Sequence, residues 1–159
     1  MQAREMMYRM LEGTLGFKER RYIEELRILT GSTAVDCVSD DRFDRVIYVI
    51  KPGDMGLAIG RGGENIRKLQ KVLGRKIELV EYAEDLESFI RNIFKPIPLA
   101  GIELEREWNS IDVLVEKKGD LGIAIGKGGA NVEKARILVK RHFGLEIRGI
   151  RIAEGRREG

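Results

Sequence analysis

The stretch Asp54-Met-Gly-Leu-Ala-Ile-Gly-Arg-Gly-Gly-Glu-Asn-Ile66 recurs 66 residues later as Asp120-Leu-Gly-Ile-Ala-Ile-Gly-Lys-Gly-Gly-Ala-Asn-Val132. Eight of the thirteen positions are identical, and all but one of the others exchange like for like. Upstream, Val46–Gly53 matches Asp112–Gly119 in pattern. A duplicated supersecondary unit accounts for this better than chance.

Reading outward from the first copy gives one consistent order of elements. Phe17 to Leu29 has apolar residues at Tyr22, Ile23, Leu26 and Leu29, a helical spacing that Gly31 ends. Ser32–Ser39 and Arg45–Lys51 are rich in β-formers and flank the polar turn Asp40-Asp41-Arg42. Asp54 is placed to cap a short helix through Ile59. The glycine loop follows, then a helix from Glu64 to about Leu73 with Ile66, Leu69 and Leu73 as its buried stripe. Gly74 closes that helix, and Lys76–Tyr82 alternates as a strand.

The second copy repeats the order: a helix over Asp85–Phe94 stopped by Lys95-Pro96-Ile97-Pro98, strands Gly101–Glu107 and Ile111–Glu116 around Trp108-Asn109-Ser110, helices Asp120–Ile125 and Ala130–Phe143, and a strand over Leu145–Ala153. Each unit reads α-β-β-α-α-β. The expected division is an extension over 1–16, domains over 17–83 and 84–154, and a tail over 155–159. With so short a connection between them, a stiff tandem is expected.

The composition is compatible with this plan and excludes several others. The 159 residues are 43% hydrophobic and 35% charged, as in a folded globular protein, with net charge +3 and a pI near 9.0. The single cysteine, Cys37, forms no intramolecular disulfide and sits among valines as a buried small hydrophobe would. His142 is the only histidine, so no His-Cys or multi-histidine site can form, and no metal or cofactor is expected. No apolar run approaches the roughly 20 residues of a membrane span, so no membrane partner and a cytoplasmic location are expected. Carboxylates are scattered without the pairing that acid–base chemistry needs, and no catalytic residue is expected.

Each loop is Ile-Gly-basic-Gly-Gly, with Gly60, Arg61, Gly62 and Gly63 in the first copy and Gly126, Lys127, Gly128 and Gly129 in the second. Glycines remove the Cβ atoms that would block close approach. Amides at the start of the following helix, at the positive end of its dipole, then face the guest. A phosphate suits that site, and Arg61 or Lys127 adds a charge at the same point. Two nucleotide-binding alternatives fail on spacing. Gly122-Ile-Ala-Ile-Gly126-Lys127-Gly128 is one residue short of a Walker loop and has glycine where the hydroxyl belongs. A dinucleotide fingerprint would need glycine at Asn65 and Asn131.

Ile-Gly-x-Gly-Gly-x-Asn-Ile/Val between two helices resembles the GXXG signature of K-homology (KH) domains, and the α-β-β-α-α-β order resembles their type II arrangement. The resemblance implies an α+β fold of two tandem type II KH domains, each a three-stranded sheet with helices on one face. It also implies a grip on about four single-stranded nucleotides per loop. The stretches TGSTAVDCV, VIKPGDMGLAIGRGGENI and EYAEDLESFIRNIFKP are similar to the archaeal NusA-like transcription factors. That likeness spans roughly Arg21 to Ala153 and implies action in transcription elongation, termination or antitermination without catalysis. The ligand implied is single-stranded RNA, of nascent-transcript or ribosomal-leader type, with RNA polymerase or other elongation factors as further partners. Two alternatives are the same module acting on RNA in ribosome assembly, and a nucleotide-binding enzyme.

Among the basic residues after the loops, Lys68 and Lys134 are equivalent under the repeat and lie one turn beyond the glycines, so both are expected at the RNA. The others, including Arg75, are read as a solvated face. Arg148 and Arg151 have opposite parity on the last strand and cannot both face one groove. Trp108 is read first as a packing cap and second as a base-stacking residue.

Overall fold

Residues 15–154 are described in the computed structural model; the expected tail and nearly all of the expected N-terminal extension lie outside them. The chain divides between Glu84 and Asp85 into two units.

In the first, α1 (Phe17–Thr30) is followed by β1 (Ala34–Asp40), β2 (Arg45–Ile50), α2 (Met55–Ile59), a single 3-10 turn (Arg61–Gly63), α3 (Glu64–Leu73) and β3 (Lys76–Glu81). In the second, α4 (Leu86–Phe94) precedes β4 (Gly101–Glu105), β5 (Ser110–Val115), α5 (Lys118–Ile125), a 3-10 turn (Lys127–Gly129), α6 (Ala130–Phe143) and β6 (Glu146–Ile152). Each unit is the expected α-β-β-α-α-β. Each sheet has its middle strand antiparallel to the first and parallel to the third.

The helices of the first unit cover one face of its sheet. Leu26 from α1, Ala58 from α2 and Leu69 from α3 pack on Ala34, Cys37, Val46, Tyr48, Ile50 and Ile77, all buried. The stripe read from the sequence is the one that docks, with Leu69 at its centre and Ile66 and Leu73 at its margins. Cys37 is buried, as a small hydrophobe. The Tyr48 hydroxyl donates to the Tyr22 carbonyl at 2.7 Å, and burial pushes its phenol pKa far above the ordinary tyrosine value, with nearby Cys37 adding to the shift.

Strand alternation puts Ile47 and Val49 on the opposite face, and they too are buried. At the rim of that face Arg45 is buried between Asp40 and Glu78, each accepting at 2.7 Å. A charge so covered is tolerated only when paired in this way.

Helices end where the sequence places glycine. Gly31, Gly74 and Gly144 take left-handed backbones at φ 75°, 68° and 68°, and each amide closes back on its helix. Asp85 caps α4 by accepting from the Ser88 amide at 2.9 Å.

Asp54 departs from the expected cap. Its side chain makes no capping bond within α2 and instead accepts from the Thr33 amide at 2.9 Å, tying the start of α2 to the chain entering β1. Helix α5, expected from Asp120, begins two residues earlier at Lys118 and encloses Asp120 in its first turn.

Candidate nucleic-acid interface

Both loops adopt the same backbone. Gly60, Gly62 and Gly63 lie at φ 74°, 59° and 78°, and Gly126, Gly128 and Gly129 at 79°, 64° and 82°. The first glycine of each set ends the short helix, with ψ 170° at Gly60 and 164° at Gly126. A Cβ on either would stand 2.8 Å from the backbone nitrogen of Asn65 or Asn131. These two positions therefore require glycine for packing as well as for φ.

The asparagine of the motif holds the loop shut. Asn65 Nδ2 donates to the Leu57 carbonyl at 2.7 Å, and Asn131 Nδ2 to the Ile123 carbonyl at 2.9 Å. Each bond links the helix after the loop to the helix before it, across eight residues of chain. Each turn is closed by a backbone bond from its last glycine to its first, Gly63 to Gly60 at 3.1 Å and Gly129 to Gly126 at 3.0 Å. The next amide bonds the carbonyl of Arg61 or Lys127. The amides of the basic residue and the second glycine precede the closing bond and lie at its open end, where a helix start collects anions. Arg61 and Lys127 are exposed there, and neither side chain has an ion-pair or hydrogen-bond partner among the described residues.

Further out, the copies differ. Lys68 is exposed and pairs with Glu64 at 3.1 Å. Lys134, expected to match it, is only 7% exposed. Helix α6 buries Val132, Lys134, Ala135, Leu138 and Val139, whereas α3 buries Leu69 alone, so the wider covered arc of α6 takes in its lysine. Arg67 Nη1 donates to the Gly62 carbonyl at 2.6 Å, placing a guanidinium at the loop apex. Its counterpart is Glu133, which faces Arg136 at 3.9 Å.

Arg67 was not singled out from sequence, because its reach back to the loop depends on its rotamer. Also missed were two apolar side chains one turn before the glycines, Leu57 and Ile123, which are 50% and 61% exposed. Their signal was present in the repeat, as equivalent large aliphatics on a helix of only five residues in the first copy.

The last strand also corrects the parity argument. The β5–β6 register shifts between Ile111 and Asp112, so Arg148 is an extra residue in the ladder. A bulge of this kind resets the alternation. Arg148 and Arg151 therefore both reach Asp112, at 3.8 and 3.5 Å, and Arg151 also bonds Glu103.

A glycine-closed, asparagine-stapled turn between two helices, on a three-stranded sheet of this topology, is found twice in one chain. The family model described as the KH domain matches residues 20–109 and again 85–153. The chain belongs to the KH-domain family. It is 38% identical over 131 residues to the "Probable transcription termination protein NusA" of Methanococcus vannielii, covering 82% of this chain and 73% of that protein. The protein of the same description from Halobacterium salinarum is 37% identical over 132 residues, covering 83% of this chain and 94% of the relative. The crystal structure of APE1850 superposes with a TM-score of 0.76 at 37% identity, covering 87% of this chain and 99% of that one. No helix among the described residues of this KH protein is long and apolar enough to cross a membrane.

Proposed function

We propose that this KH protein binds single-stranded RNA through both glycine loops and acts, as its NusA-named relatives are described, in transcription termination, with elongation and antitermination as the wider setting. The observation that carries this reading is the identity of the two loops in backbone angles, closing bond and asparagine staple. Three left-handed glycines in one turn leave its backbone clear of Cβ atoms and open to close approach.

In the mechanism, the amides and the Arg61 or Lys127 side chain of each loop take a phosphodiester. Leu57 and Ile123 offer an apolar seat to the attached bases. Gly60, Gly62 and Gly63, with Gly126, Gly128 and Gly129, let the sugar–phosphate chain approach. Lys68 adds a charge to the first site by exchanging Glu64 for phosphate. Lys134 is left out, since its side chain is covered. Two loops on one chain engage one RNA strand with the second at high effective concentration, so the pair binds more tightly than either alone. The RNA is a nascent transcript or a ribosomal leader, and RNA polymerase or another elongation factor is the protein partner. No catalytic step is assigned.

The test is the double variant Gly62→Asp with Gly128→Asp, measured by fluorescence anisotropy on single-stranded RNA. Binding should be lost while the circular dichroism spectrum is retained. Binding equal to the parent's would remove the loops from the mechanism.

A further inference from the structure

The repeat supplies an internal comparison for the hairpin that joins the first two strands of each unit. In the first unit that hairpin is closed on itself. Arg75 donates to the Ser39 hydroxyl at 2.9 Å, the Asp40 carbonyl at 2.7 Å and the Asp44 carboxylate at 3.1 Å, and pairs with Asp41 at 3.1 Å. Its aromatic residue, Phe43, is half-buried with the guanidiniums of Arg45 and Arg42 at 4.9 and 5.1 Å from its ring. Acid and aromatic are both satisfied within the fold.

The second hairpin lacks these locks. Leu145, which follows Gly144 as Arg75 follows Gly74, carries no charge. Trp108 at the tip is 72% exposed, and Leu104 is 45% exposed. Glu105 and Glu107 are exposed. Arg148 and Arg151 of β6 pair with Asp112, and Arg151 with Glu103, which leaves Glu105 and Glu107 as the hairpin carboxylates without an ion pair among the described residues. A cavity of about 300 Å³ on this hairpin is lined by Glu103, Leu104, Glu105, Ser110, Asp112 and Arg148. Ser110 at its wall is 3% exposed, and its buried hydroxyl has no hydrogen-bond partner among the described residues. A serine hydroxyl both donates and accepts, and the lone pairs of this one are left for an N–H donor entering the cavity.

We propose that the β4–β5 hairpin is a docking surface for a basic, extended segment of a protein partner. Trp108 and Leu104 take the apolar side chains of that segment, and the cavity takes an arginine or lysine, with Ser110 and Glu105 as acceptors. An exposed tryptophan beside an exposed leucine is the composition of a protein–protein anchor, and the unpaired Glu105 and Glu107 at its rim select a basic partner. The same carboxylates repel phosphate, which separates this surface from the glycine loops.

Trp108 is the only tryptophan in the chain, so its emission reports this surface alone. The probes are a blocked six-residue peptide alternating leucine and arginine, the same peptide with glutamate for arginine, and a single-stranded uridine oligonucleotide. The arginine peptide should give a saturable blue shift, and the other two should give none. Glu105→Lys with Glu107→Lys should weaken the arginine peptide about tenfold or more while leaving RNA binding and the melting temperature unchanged. An unshifted Trp108 with the arginine peptide overturns the proposal, as does equal binding by the charge-reversed variant. A shift of Trp108 by the oligonucleotide overturns it in favour of base stacking.

Discussion

Two glycines of one loop, two positions apart, are expected to fail in opposite ways when substituted. Gly62 lies at φ 59°, ψ 23°, and a Cβ there would meet nothing within 4 Å. Aspartate visits this left-handed region at about 1 kcal/mol, so Gly62→Asp should lower the melting midpoint of its unit by only about 4–8 °C. Gly60 lies at φ 74°, ψ 170°, a region that costs residues other than glycine about 1–3 kcal/mol. Its Cβ would also press on the Asn65 amide nitrogen at 2.8 Å. Relieving that contact breaks the Asn65–Leu57 staple, a further loss of about 1 kcal/mol. Gly60→Ala is thus expected to cost about 2–4 kcal/mol, a midpoint lower by about 10–30 °C.

The effects on RNA run the other way. A carboxylate at position 62, about 5 Å from a bound phosphate, adds between about 0.8 kcal/mol of repulsion in bulk water and about 3 kcal/mol at an effective dielectric of 20. In a Gly128→Asp background, which isolates the first loop, that is about a 4- to 250-fold loss of affinity. Calorimetric melting and anisotropy titration on the same preparations separate the two outcomes. If Gly60→Ala melts with the parent, the close approach to Asn65 does not constrain the loop. If Gly62→Asp in that background binds RNA undiminished, the loop apex does not meet phosphate.

Three further outcomes follow from particular contacts. Arg67→Glu in the same Gly128→Asp background gives the first loop the charge of the second, and should flatten the salt dependence of RNA binding by about 0.7–1.4 in log–log slope; an unchanged slope would leave Arg67 as a brace for the Gly62 carbonyl only. Arg75→Ala removes four polar contacts from a largely buried guanidinium and should destabilise the first unit by about 2–3 kcal/mol in denaturant titration; a change below about 0.5 kcal/mol would class these as ordinary surface pairs. Asp85 accepts a bond from Ser88 that holds its carboxyl below the ordinary aspartate range. Its contribution is therefore present above the unfolded pKa of about 4 and lost as pH falls through the lower folded value. The melting difference between the parent and Asp85→Ala should be constant above about pH 5 and shrink in more acid solution, and a difference independent of pH would contradict the cap.

What the sequence made legible depended on signals carried by the backbone. Helices α3 and α6 run over Glu64–Leu73 and Ala130–Phe143 as expected, because glycine marks both ends of each. The strands themselves follow from alternation and from the repeat, whereas their pairing into three-stranded sheets is implied by the family resemblance and not by either pattern. The failures came where one residue changes the geometry of its neighbours. The bulge at Arg148 turned two arginines of opposite parity toward one aspartate. Nothing in Ile147-Arg-Gly-Ile150 shows this to a reader of alternation alone, although Gly149 is compatible with it. Lys134 failed for a different reason: equivalence under a repeat fixes the angular position of a side chain on its helix, while the width of the covered arc depends on what packs there. Asp54 was placed correctly at a helix start but bonds across to Thr33, a contact 21 residues away in sequence.

Asp54, Lys134 and Arg148 all lie outside the two glycine turns, and this bears on the two proposed RNA sites. The loop conformation is set by three glycines and one asparagine, and the closing bond and asparagine staple common to both copies lie between residues 57 and 65 or between 123 and 131. Side chains beyond those limits differ between the two copies. The first loop is flanked by Arg61, Arg67 and an exposed Lys68 against Glu64. The second has Lys127, a covered Lys134 and the carboxylate of Glu133. Because phosphate binding scales with the cations available to replace counterions, two loops of the same shape should differ in strength. Gly62→Asp alone should cost more affinity than Gly128→Asp alone. Equal losses would mean that the backbone amides, identical in both loops, carry the binding and that the surrounding charge is incidental.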